Sequence, residues 1–175
     1  EQKYPLKISV NKKGSLMEFL TKAALEANGV TYEDIEKAGG KVVYNIYPEA
    51  LDMMSTNQLD GLGGISEFPT NFFMEAATRI EMRLLGLNEK AVEKINAQFS
   101  TMTYKVPPRT YSFQPDEVLT VASPLVVIAS ANLPEDQAYR IAKAIGTNLE
   151  FLRSVHVSLK SLDLKFMGAS QQAEL

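Results

Sequence analysis

The sequence predicts an α/β fold, with a mostly parallel sheet flanked by helices. Two observations carry this. Short β-type runs alternate with apolar-periodic helical stretches, the order that builds parallel sheets through helical crossovers. The runs are also separated by residues with turn chemistry: Asn11 to Gly14, Asn28-Gly29, Gly39-Gly40 and Asp60 to Gly64.

Lys7 to Val10 is the first strand, followed by the polar loop Asn11-Lys12-Lys13-Gly14. Ser15 can cap the next helix, and Glu18 three residues later completes the spacing of a capping box. Leu16, Phe19, Leu20, Ala23, Ala24 and Ala27 recur at three- and four-residue spacing, which assigns the helix one buried face. Asn28-Gly29 ends it with residues that tolerate a left-handed cap. Strand, glycine turn and helix start together present backbone N–H groups at the positive end of a helix dipole. Such a corner suits a carboxylate or phosphate, and serves equally as a plain strand-to-helix connection.

Thr31 to Ile35 reads as a short capped helical turn, and Lys41 to Tyr47 as the second strand. Pro48 suits the first turn of the next helix, which carries Ala50, Leu51 and Met54 on one side and ends by Asn57. Asp60 to Ile65 is a glycine-heavy third strand, whose small residues imply close approach of another backbone or a ligand. Phe72, Phe73, Ala76 and Ala77 mark a helix after Pro69. Ile80 to Leu85 with Gly86 reads as a short strand and turn, and Asn88 caps a helix through Phe99. Thr101 to Val106 is extended, and Pro107-Pro108 reads as a hinge or linker. Val118 to Ser130 is the most apolar extended run, interrupted by Pro124. A helix opens at Leu133-Pro134-Glu135-Asp136 and runs towards Phe151-Leu152, a last short helix lies around Ser158 to Leu162, and the tail from Gly168 is frayed. Chemistry in parallel sheets gathers at the carboxyl ends of strands, which puts the Lys12–Ser15 and Ile65–Pro69 loops on one rim.

The 175 residues suit one domain or two small lobes, and 45% hydrophobic with 22% charged residues describes a globular protein. A net charge of −3 with scattered Lys and Arg gives no footprint for nucleic acid. No apolar run approaches the ~20 residues that span a bilayer. The chain starts at Glu1 rather than Met, as expected of one processed, trimmed or cut from a longer protein. With no cysteine, disulfides, thiol catalysis and zinc–thiolate sites are excluded.

Enzyme motifs are not supported. No Gly-Lys-Ser/Thr completes a P-loop, Gly61-Leu62-Gly63-Gly64 lacks the third glycine of a dinucleotide fingerprint, and there is no Gly-x-Ser-x-Gly elbow. His156 is the single histidine and lies near a helix end, where histidine commonly satisfies terminal carbonyls. No metal-ligand spacing is present. The expectation is a chain with no catalytic residue, no metal and no cofactor.

Several segments, in order, resemble the solute receptors of tripartite ATP-independent periplasmic (TRAP) transporters, specifically the TAXI family. They are Gly14-Ser15, Asn28-Gly29-Val30 with Thr31-Tyr32-Glu33-Asp34-Ile35, Asn57-Gln58-Leu59-Asp60-Gly61 and Ser66-Glu67-Phe68-Pro69. Ile80 to Leu85, Thr110-Tyr111-Ser112-Phe113-Gln114, Leu133-Pro134-Glu135-Asp136 with Tyr139, and His156 continue the series. The resemblance implies a periplasmic binding protein-like II fold, a second lobe plus part of the first. Residues 1–106 would be the second-lobe α/β domain and 107–175 the hinge and returning segment of the first lobe. It also implies a periplasmic or extracytoplasmic receptor, secreted or lipid-anchored, holding an amino acid or carboxylate in a cleft. The receptor would deliver that solute to the permease subunits of a TRAP transporter. An effector-sensing domain of a regulator is the alternative on the same fold.

The contacts carried over are Gly14, Ser15 and Leu16, the loop Ile65, Ser66, Glu67 and Pro69, and Tyr111. For Tyr111 the competing expectation is a packed ring with a wet hydroxyl. Two positions depart from the family: Leu16-Met17 stands for Gly-Thr, and Glu67 replaces a small glycine. Glu67 would either face the cleft and favour a solute with an ammonium, or cap the following helix.

Overall fold

The computed structural model describes residues 4–123, 126–160 and 162–168. By its contacts the chain divides into two compact units, Glu1–Ser66 with Thr70–Ser123, and Glu67–Pro69 with Pro124–Leu175.

The first unit is built on a parallel sheet of three short strands, β1 (Lys7–Ser9), β2 (Lys41–Val43) and β3 (Gly61–Leu62), in the order β2-β1-β3. Asp60 sets the edge of this register. Its backbone N–H donates to Lys7 O at 2.8 Å, and its carboxylate accepts the Lys7 N–H at 2.7 Å. Between β1 and β2 run α1 (Leu16–Ala27) and α2 (Tyr32–Lys37). The α2 start is fixed by a capping box, in which Thr31 and Asp34 exchange side chain-to-backbone bonds. Between β2 and β3 runs α3 (Tyr47–Ser55), with Pro48 in its first turn. The second strand is shorter than expected. After Val43, Asn45 is captured by Ser9, and Tyr47 already begins the helix.

Beyond the sheet follow α4 (Asn71–Ala76) and α5 (Glu89–Phe99), then an antiparallel pair, β4 (Met102–Val106) with β5 (Val118–Ala122). Asn88 caps α5 by accepting the Ala91 N–H at 2.9 Å. Ala91, Val92 and Ile95 of α5 join Val10, Ala23, Ile35, Ala50, Leu51, Leu59, Ala76, Val106 and Tyr111 in the core. Burial is the main term holding such a core, at roughly 25 cal/mol per Å² of apolar surface.

Two expectations about this unit need correction. Ile80 to Leu85 forms no strand: half-buried and exposed residues alternate, but among the described residues no ladder partner runs beside them, and only beyond the stretch does Leu87 N–H reach β5, at Leu119 O 2.8 Å away. Pro107-Pro108 is not a linker. It turns the hairpin between β4 and β5, since proline cannot donate to the ladder, so the boundary drawn at 106/107 falls inside one unit and the division comes after Ser123.

The second unit contains α6 (Glu135–Thr147), α7 (Leu149–Val155), a 3-10 turn (Val157–Leu159) and α8 (Leu164–Gly168). The single long helix expected from Leu133 is broken at Asn148, which ends α6 and starts α7. Arg153 ties α7 to the following loop by donating to Leu162 O at 2.7 Å. The expected long extended run stops at Ala122; Val126, Val127 and Ile128 carry no strand, while Pro124, Leu125 and the tail 169–175 lie outside the described residues. None of the described residues of this unit is buried. Among the described residues no helix is long and apolar enough to cross a membrane.

Candidate functional site

Because β1, β2 and β3 run parallel, the segments that follow them leave the same edge of the sheet. These are residues 10–15, 44–46 and 63–66. The Lys12–Ser15 loop and the Ile65-Ser66 part of the second predicted loop therefore share a rim, as the strand order predicts.

The first segment is a tightly wired corner. Val10 N–H donates to Val43 O at 3.0 Å, extending the sheet by one bond. Asn11 takes a left-handed conformation (φ 66°), which asparagine tolerates, and its Oδ1 accepts the Lys12 N–H at 2.8 Å. Gly14 is glycine for the same backbone reason (φ 76°), since a Cβ there would meet nothing within 4 Å. Ser15 N–H donates to Lys12 O at 3.1 Å, and Ser15 Oγ accepts the Glu18 N–H at 3.3 Å. The Glu18 carboxylate then reaches back to accept the N–H of Gly14, one residue before the cap. Gly14, Ser15 and Glu18 thus have internal partners for their N–H groups. The corner that reads as anion-ready in sequence already holds the chain's own carboxylate, and that carboxylate is buried.

The second segment is pinned by Ser9. Its Oγ donates to Asn45 O at 3.0 Å and accepts the Asn45 N–H at 3.2 Å. Tyr44 beside it carries the Lys13 ammonium 5.8 Å from its ring centre. The third segment is held between two helices. Gly63 N–H donates to Ser9 O at 2.8 Å, and Tyr47 of α3 donates its phenol to Ile65 O at 2.6 Å. A Cβ on Gly63 would collide with Thr21 of α1, and one on Gly64 with Tyr47. The small residues make room for the chain's own side chains, which corrects the expectation of a backbone or ligand there.

The helical face predicted for α1 also needs revision. Ala23 is buried, but Leu16 and Phe19 are 52% and 48% exposed. Side chains in the first turn of a helix lean towards its N-terminus, where no further turn covers them. Tyr44 and Ile46 are likewise exposed on the segment after β2. The rim therefore combines uncovered apolar side chains with a few fixed polar groups, the composition of small-molecule sites.

The remaining predicted residues fall elsewhere. Tyr111 is in the core at 2% exposure, stacked on Phe113 (centroids 5.1 Å apart) and edge-on to Phe73 (6.1 Å). Its hydroxyl is not wet; it accepts the Thr70 N–H at 2.9 Å. Glu67, exposed, and Pro69, half-buried, belong to the second unit. His156 ends α7 and bonds Ser158 Oγ through Nδ1 at 2.8 Å, rather than a helix carbonyl. A cavity of 390 Å³ is lined by residues 77–82 with Ser112 and Phe113, and by none of the predicted site residues. Among the described residues no three acidic or histidine side chains converge to hold a metal ion.

A family model described as NMT1-like family matches residues 5–174. The chain belongs to the NMT1-like family. That family is periplasmic-binding-protein-like, and membership accords with an α/β, parallel-sheet, solute-binding type of domain. No curated protein matches the chain. Within this NMT1-like chain, sequence reasoning missed Tyr44, Ile46 and Tyr47. The signal was a run of large apolar residues placed just after a strand, which reads as more strand.

Proposed function

We propose that this NMT1-like chain acts outside the cytoplasm as a solute receptor of a TRAP-type transporter. It captures a small organic solute, such as an amino acid or a carboxylate, and passes it to membrane permease subunits without chemical turnover. The observation that supports this reading is the rim itself. Three loops leave one edge of a parallel sheet, and Leu16, Phe19, Tyr44 and Ile46, in or just after two of these loops, are exposed, while Ser15 caps α1 and Ile65 O accepts the Tyr47 phenol. Carboxyl edges of open parallel sheets are where such folds take ligands. The family match and the ordered resemblance supply the rest.

The test is amide NMR of the chain titrated with a panel of amino acids, amines, neutral polar solutes and small carboxylates. At least one member is expected to shift Leu16, Tyr44, Ile65 and Ser66 saturably. A solute that binds only at the cavity beside Phe113 overturns the site, and a panel with no binder overturns the solute class. Delivery is tested by uptake into vesicles carrying TRAP permease subunits; uptake that is the same without the chain overturns that part.

A further inference from the structure

We propose that residues 80–84 form a strand edge at which two copies of this chain pair, antiparallel and centred on Met82. Three observations carry this, none of them drawn from the solute rim. The segment has the pattern of a strand. Ile80, Met82 and Leu84 are half-buried, Glu81 and Arg83 between them are exposed, and none of the five takes a positive φ. Its backbone is also unpaired. Among the described residues, the N–H and C=O groups of residues 81–86 enter no backbone hydrogen bond, and the cavity lined by residues 77–82 with Ser112 and Phe113 leaves open space beside the start of the segment. Unpaired backbone of this kind is a template for another strand. Finally, the two exposed side chains carry opposite charges, and neither has an ion-pair partner among the described residues.

The charges select the occupant. In an antiparallel pair centred on Met82, residue 81 of each copy stands opposite residue 83 of the other, so Glu81 faces Arg83 twice. On the half-buried side Ile80 faces Leu84 twice, and Met82 faces Met82, the self-complementary arrangement that a two-fold axis requires. Sliding one strand by two residues sets Glu81 against Glu81 or Arg83 against Arg83. Sliding it by one turns the half-buried side chains outward, so a single register is favoured. Two like charges flanking Met82 would repel a second copy, whereas this pair attracts one. The segment reads as a strand in the sequence, and forms no ladder within one chain, because its ladder partner is the second copy.

The experiment is sedimentation velocity of the 175-residue chain over a concentration series reaching that of an NMR sample, at low and high salt. It is run on the wild type, Glu81→Arg, Arg83→Glu and the double variant. The wild type is expected to dimerise reversibly, and less at high salt. Each single variant sets like charges opposite one another at both positions, and its dimer dissociation constant is expected to rise at least about tenfold. The double variant exchanges the charges and restores the wild-type constant. So does an equimolar mixture of the two single variants, in which the cations of one copy meet the carboxylates of the other. Both residues are exposed, and folding is checked by amide dispersion. A charge-reversed variant that unfolds is replaced by Glu81→Gln or Arg83→Gln, which removes both ion pairs and weakens the dimer in the same direction. A wild type that stays monomeric throughout overturns the proposal. So does a dimer that the folded variants leave unchanged, or one that neither the double variant nor the mixture recovers.

Discussion

The phenol of Tyr47 donates to the carbonyl of Ile65 at 2.6 Å, and this bond ties the first turn of α3 to the loop after β3. Tyr47→Phe keeps the ring against Phe72 and Phe73 and removes only the hydroxyl. The expected cost is about 0.5–1.5 kcal/mol, the usual net worth of one hydrogen bond. Urea denaturation should show a lower midpoint at unchanged slope. Amide exchange at Gly63 to Ser66 should quicken more than exchange in α5. Equal protection in both proteins would show that Thr21 packing, not the hydroxyl, holds this loop.

Tyr111 is expected to behave as a core residue and not as a solute contact. Tyr111→Phe leaves the Thr70 N–H buried without its acceptor, an expected loss of about 1–3 kcal/mol. Tyr111→Ala also empties the space between Phe73 and Phe113 and should cost about 3–5 kcal/mol. Where Tyr111→Phe is fully folded, rim affinity for any solute found by the panel should equal that of the wild type. A selective loss of affinity would put Tyr111 in the site after all.

The two units should differ in local stability. The described residues of the second unit include no buried side chain, and Val127 and Ile128 are 79% and 80% exposed. Opening free energies follow buried apolar contact, so amides of α6 should exchange much faster than those of α5, whose Ala91, Val92 and Ile95 are buried. Mass-spectrometric exchange on peptides spanning 135–147 and 89–99 decides this, and equal protection would contradict it. Replacing Val127 and Ile128 with serine should raise solubility and leave the urea midpoint within about 0.5 kcal/mol of wild type.

What the sequence disclosed is the part written in local chemistry. Ser15 and Glu18, Thr31 and Asp34, Pro48, and Asn88 each mark a helix start, and each does so in the structure. The parallel order followed from helices alternating with strands. Tertiary choices were less visible. Tyr111 looked like a site residue because nothing local shows that its hydroxyl meets Thr70, 41 positions away. Pro107-Pro108 looked like a linker because a hairpin loop and a hinge share one composition. Glu18 looked like an ordinary cap. That its carboxylate would land on Gly14, filling the corner offered to a solute, depends on a loop geometry that spacing alone does not fix.

Tyr32 offers the clearest pH-dependent prediction. Its hydroxyl is enclosed and has no hydrogen-bond partner among the described residues. Burial pushes its pKa up from the ordinary value, with the charges of Glu18, Tyr44 and Glu26 adding to the effect. Tyr32→Phe keeps the ring beneath Lys22, whose ammonium lies 5.7 Å from its centre, and discards the unpaired group. Stability at neutral pH should be unchanged or rise by up to about 1–2 kcal/mol, because an unsatisfied hydroxyl is removed and no bond is broken. The sign at alkaline pH follows from linkage. The folded chain holds the phenol proton more tightly than the unfolded one, so the stabilisation is complete below the ordinary tyrosine value of about 10 and is lost as pH rises beyond it. The wild type should therefore lose stability more steeply than Tyr32→Phe above that pH. Urea midpoints of the two proteins at neutral and alkaline pH measure both effects. A variant that is less stable than wild type at neutral pH would show that the hydroxyl has a partner, such as an ordered water, and that it contributes to holding α2 against α1.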